Sequence, residues 1–234
     1  MRLLLGETHT SRERSDFESA ASTESLAHGD GHPVMLLPAF ATGDLALAPM
    51  ARAIDRLGYA VHGWNEGRNL GLSLRVLERL LAHAQHIADG AKTLTLIGWS
   101  AGGLYAREMA RRRPGLVRRV ITLGTPIQPC AAELAGAYRW IRSFETLRSA
   151  LGDPGFVPSH AVPVVPTTAI HSKSDAVVPW RNALELEGPC TENVEVPGGH
   201  LTLACSMPVL RIVAARLALA PATDVVDTSA NTVA

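Results

Sequence analysis

The sequence is short of the features that mark several protein classes. Its three cysteines, Cys130, Cys190 and Cys205, form no CxxC pair and no Cys/His ligand spacing, and they are too few to frame 234 residues with disulfides. A reducing compartment follows, and the expected location is cytoplasmic. Net charge is also missing, because 22 basic side chains balance 22 acidic ones. No overall field then holds a nucleic acid or an anionic membrane. Lysine is nearly absent, with only Lys92 and Lys173 among the basic residues, a codon-composition bias that carries no functional weight. No run approaches the ~20 apolar residues of a membrane helix. Residues 1–6 hold one arginine and a short leucine run before the chain turns polar, too small an apolar core for a signal peptide. Internal repeats and low-complexity tracts are lacking as well.

What is present is a chain 47% hydrophobic, enough for one core. Residues 1–30, rich in Ser, Thr, Glu and Arg, read as an arm, residues 31–220 as the domain, and residues 221–234 as a flexible tail. Within the domain, short β-rich runs at 34–37, 59–64, 93–97, 119–123, 164–171 and 191–196 alternate with segments of helical period. This alternation predicts an α/β fold with a compact, mostly parallel sheet of about six strands and helices on both faces. Helices are expected over 45–57, 72–88, 101–112 and 208–219, with Gly58 and Gly90 as C-terminal stops. The interval 126–163 inserts a helical stretch at 131–151 and reads as a small cap or lid.

Chemistry concentrates after the third strand. Gly98-Trp99-Ser100-Ala101-Gly102 is G-x-S-x-G between a predicted strand and a predicted helix. A serine held on so sharp a turn leaves no room for side chains two residues to either side, and the glycines supply that room. At a helix N-terminus, the Ala101 N–H points toward charge developing on a bound carbonyl. A serine hydroxyl needs a base and an orienting acid. Asp175 follows the fifth strand and His200 follows the sixth, so all three side chains sit just past strand C-terminal ends, on the edge where parallel sheets bind ligands. Asp153 and Glu187 are the competing carboxylates, in less suitable places. Eight other histidines compete with His200, which alone follows the final strand after a glycine pair.

The elbow, the segment Asp175-Ala176-Val177-Val178-Pro179 and the late Gly199-His200 resemble, from about Pro33 to Leu217, an α/β-hydrolase of the bacterial lipase/esterase type. The resemblance implies a serine hydrolase cleaving carboxylic esters through an acyl-enzyme. Ser100 would be the nucleophile, His200 the base and then the acid, and Asp175 the group that fixes the imidazole. The oxyanion hole would combine the Ala101 and Phe40 N–H groups, although Pro38-Ala39 stands where the family usually has His-Gly. Six strands fall short of the eight common in larger relatives.

Trp99, Tyr138, Trp140 and Phe144 are the candidate substrate-pocket residues, and a single cap helix favours short to medium acyl chains. His83 and His86, three apart on a predicted helix, lack a third ligand. With no Walker loop, dinucleotide fingerprint or ligand cluster, no metal and no organic cofactor is implied. The expected partner is a small-molecule ester, with no nucleic acid and no integral membrane association; oligomeric state is not readable. Two other readings stay open: an acyltransferase using the same triad, and a ligand-binding receptor that retains a hydrolase pocket.

Overall fold

A computed structural model describes residue 26 and residues 28–88, 93–128 and 155–221. Most of the expected arm, the cap stretch 131–151 with Tyr138, Trp140 and Phe144, and the tail beyond Pro221 lie outside the described residues. Six strands form one sheet: β1 (Pro33–Leu37), β2 (Ala60–His62), β3 (Leu94–Trp99), β4 (Val117–Leu123), β5 (Thr167–His171) and β6 (Thr191–Glu195). Their order is β2-β1-β3-β4-β5-β6, and every described ladder is parallel. Among the described residues four α-helices cover it: α1 (Asp44–Arg56), α2 (Leu74–Ala88), α3 (Ala101–Arg112) and α4 (Met207–Leu217).

The period of two along each strand divides the core into two layers. Val34 and Leu36 of β1, with Ile97, Ile121 and Leu123, face α1 and α4 through Met50, Ile54, Val209 and Val213. Met35 and Leu37, with Leu94, Leu96 and Val120, face α2 and α3 through Leu77, Leu80, Tyr105 and Met109. A sheet covered on both faces explains why β1, β3, β4 and β5 are buried at every position.

Boundaries depart from the sequence reading where a specific group takes over. The fifth strand, expected from residue 164, begins at Thr167 because Pro166 has no N–H for the ladder, and Val164 is exposed. The second strand, expected over 59–64, ends at His62, and the Trp64 N–H goes to Asp44 Oδ1 at 2.8 Å. The second helix starts at Leu74 rather than 72, where the Ser73 hydroxyl accepts the Val76 N–H at 3.1 Å as a cap. No helix among the described residues is long and apolar enough to cross a membrane.

Candidate active site

Ser100 leaves β3 with φ 53° and ψ −122°, a left-handed conformation that a residue with a Cβ adopts only when its surroundings enforce it. The enforcement is visible in the backbone. The Ser100 N–H donates to the Leu123 carbonyl at 2.8 Å, and the Ser100 carbonyl accepts from Thr125 Oγ1 at 2.9 Å and from the Gly103 N–H at 3.0 Å. A Cβ on Gly98 would lie 2.3 Å from Gly103 Cα, one on Gly102 2.1 Å from the Leu37 carbonyl oxygen, and one on Gly103 2.0 Å from Thr125 Oγ1. The elbow therefore tolerates glycine alone at these positions. Ala101 opens α3, so its N–H belongs to the first helical turn, which has no intrahelical acceptor.

Asp175 and His200 are brought together. His200 Nδ1 lies 2.7 Å from Asp175 Oδ2, with both side chains almost fully buried. Asp175 Oδ1 accepts the N–H groups of Val177 (2.8 Å) and Val178 (2.7 Å), so both carboxylate oxygens are engaged. Because a carboxylate can only accept, Nδ1 carries the proton and Nε2 is the acceptor of the neutral ring. The two loops that deliver this pair share one hydroxyl: Ser172 Oγ donates to the Gly198 carbonyl at 2.6 Å and accepts the Ser174 N–H at 3.1 Å. Gly198, at φ 117°, makes the turn before His200.

The pair abuts the elbow through the exit of β4. At Gly124 (φ 54°) a Cβ would lie 3.0 Å from Asp175 Oδ2 and 3.2 Å from His200 Nδ1. The next residue, Thr125, holds the Ser100 carbonyl. Trp99, read from sequence as a pocket residue, is buried, and its indole N–H donates to the His200 carbonyl at 3.1 Å. Ser100 itself is nearly buried, and among the described residues its hydroxyl makes no hydrogen bond to His200. Such contacts are often long in free enzymes and tighten with substrate.

Phe40 is half-buried in the turn between β1 and α1, next to Ala41 at φ 62°. Close approach of Gly102 to the carbonyls of Leu37 and Pro38 puts the start of this loop against the elbow helix. Gly124 and Thr125 went unmarked in the sequence, although Gly-Thr-Pro directly after an apolar strand run at the ligand edge was a usable signal. Among the described residues no three His, Cys, Asp or Glu side chains are grouped to hold a metal ion, His83 and His86 included. A groove of about 450 Å³ between α1 and β2, lined by Leu36, Leu47, Ala51, Val61 and His62, contains none of these candidate residues.

No family model matches the chain, and no curated protein is similar to it in sequence. Solved structures do match. One of two metagenome-derived lipolytic enzymes superimposes with a TM-score of 0.58 at 13% identity, covering 82% of this chain and 95% of its own. A carboxylesterase from the ammonia-oxidizing thaumarchaeon Nitrososphaera gargenis gives 0.58 at 16%, over 82% and 92%. The monoacylglycerol lipase of Paleococcus ferrophilus gives 0.56 at 14%, over 82% and 96%. Together with the parallel six-stranded sheet, this similarity establishes the α/β-hydrolase fold.

Proposed function

We propose that the protein is a serine hydrolase that cleaves carboxylic esters through an acyl-enzyme on Ser100. The observation that carries the reading is the buried Asp175–His200 pair at 2.7 Å packed beside a strained serine that opens a helix. Esterases and lipases among the similar structures support the same chemistry.

Ser100 Oγ attacks the ester carbonyl carbon while its proton passes to His200 Nε2, and Asp175 stabilises the resulting imidazolium. The carbonyl electron pair moves onto oxygen, held by the Ala101 N–H and the Phe40 N–H. Collapse breaks the bond to the alkoxy oxygen, which leaves as alcohol with the proton from His200. Water then repeats the sequence, releasing the acid and restoring Ser100. No step calls for a metal or an organic cofactor, and the acyl chains favoured are short to medium.

Hydrolysis of p-nitrophenyl esters from acetate to palmitate, by wild type and Ser100→Ala side by side, tests this. Wild type alone should turn over, with an optimum below the longest chains. Turnover by neither protein would remove the ester-hydrolase reading, and equal turnover by both would remove Ser100.

A further inference from the structure

The loop that carries Phe40 closes on itself where the Thr42 N–H and hydroxyl both donate to the Ala39 carbonyl, at 3.1 and 2.8 Å, and it is tied to a residue 27 or more positions further along. Asn69 is completely buried, and its Nδ2 donates to the Pro38 carbonyl at 2.8 Å. Its backbone closes a two-way bridge to the same loop: the Ala41 N–H donates to the Asn69 carbonyl at 2.6 Å, and the Asn69 N–H donates to the Thr42 carbonyl at 2.8 Å. Asn69 Oδ1 accepts the Gly71 N–H at 3.1 Å, which folds the segment back on itself. Residues on both sides of Phe40 are thus tied to one residue, Pro38 by the Asn69 side-chain amide and Ala41 and Thr42 by the Asn69 backbone, and Ala41 is kept in a left-handed conformation that a free loop would abandon.

The far end of this segment is fixed to the elbow helix. Tyr105, one turn into α3 and fully buried, donates its hydroxyl to the Gly71 carbonyl at 2.8 Å and accepts the Ser73 N–H at 2.8 Å. Residues 69–73 therefore form a strut, with the Phe40 loop at one end and the helix that begins with Ala101 at the other.

We infer that Asn69 is a positioning residue that sets the Phe40 N–H relative to the Ala101 N–H, with Tyr105 as the strut's second anchor. The inference rests on the oxyanion role given to those two N–H groups above. Two donors stabilise a developing oxyanion only when both are preset at its position, so a loosened loop reduces transition-state binding more than substrate binding.

Asn69→Asp keeps the shape and the Oδ1 acceptor but replaces the donor to Pro38 with a second acceptor. In the full chain, with far-UV circular dichroism unchanged, it should lower kcat for p-nitrophenyl ester hydrolysis about 10- to 100-fold with KM within about threefold. An unchanged kcat, or a loss carried in KM, would overturn the inference. Hydrogen exchange of the Ala41 and Thr42 amides gives a second reading that needs no ester activity. It should speed up about tenfold or more in Asn69→Asp while β3 stays protected, and unchanged exchange overturns the strut even if esters are not the substrate. If Asn69→Asp does not fold, Tyr105→Phe replaces it. That variant should speed exchange at Ser73 and lower kcat in the same sense, and no change in either would overturn the strut.

Discussion

A hydroxyl stands near each end of strand β3, and a histidine–aspartate pair lies in the neighbourhood of each. At its exit stand Ser100, His200 and Asp175, with Nδ1 of His200 2.7 Å from the carboxylate. Near its entry stand Thr95, His32 and Asp30: His32 Nδ1 is 2.5 Å from Asp30 Oδ1, and His32 Nε2 is 3.0 Å from Thr95 Oγ1. By hydrogen-bond pattern alone the second trio is the more complete. What separates them is the backbone and its setting. Thr95 is fully buried in an extended strand, paired on both sides. Ser100 sits on a strained turn at the C-terminal edge with the first N–H of α3 beside it. An Asp–His–hydroxyl chain is therefore a way to bury polar groups as readily as a way to activate one, and the chemistry proposed for Ser100 rests on the elbow rather than on the trio.

The largest test of that contrast is to remove each hydroxyl. Ser100→Ala should cut ester turnover by about 10⁴-fold or more while leaving unfolding by urea near wild type. Thr95→Val should do the reverse: turnover is retained, and stability falls by about 1–3 kcal/mol because buried His32 loses the partner of Nε2. An organophosphonate should label the Ser100 peptide and leave Thr95 untouched. Activity lost equally in both variants would erase the distinction.

Glycines sharpen it next. Gly102→Ala forces a Cβ to within 2.1 Å of the Leu37 carbonyl oxygen, a backbone atom that cannot step aside. A loss of about 3 kcal/mol in urea unfolding, with turnover impaired, is expected. Gly115, beside the entry end of β4, has nothing within 4 Å of its Cβ position. Gly115→Ala should stay within about 0.5 kcal/mol of wild type.

The elbow was legible because every part of it is local: an apolar strand run, two glycines spaced around a serine, then helical period. Asp175 and His200 were legible because a parallel sheet puts all strand exits on one edge, so chain order alone brought them near Ser100. The Thr95 trio and the Asn69 strut were not, since nothing in residues 30–32 or 69–71 announces partners on distant strands and loops. Strand period does place Trp99 with Ile97 on the α1 and α4 face. It does not reveal that the indole N–H ends on the His200 carbonyl. Trp99→Phe should keep the packing and lose that bond, at about 1 kcal/mol of stability and a several-fold drop in kcat; a kcat equal to wild type would show that His200 is held without it.

The smallest effect lies at the entry end and depends on pH. Burial lowers the pKa of His32, and the hydrogen bond it donates to Asp30 only partly offsets this, with Arg118 and Arg119 adding repulsion. Asp30 is lowered too: hydrogen bonds from His32 and from Arg118 outweigh its own burial. Both shifts have the same sign in folding. A group depressed in the folded chain stabilises above its unfolded pKa, and that stability is lost as pH falls. The His32 contribution should therefore begin to disappear below about pH 6.5, and the Asp30 contribution below about pH 4. His62 and His171, also lowered by burial, act in the same direction as His32. Urea midpoints between pH 7.5 and 5 should fall in wild type and fall less steeply in His32→Gln, by at most about 1.4 kcal/mol per pH unit. Parallel slopes would mean that His32 takes up its proton without leaving Thr95, and the entry trio would then be no more than a tolerated contact.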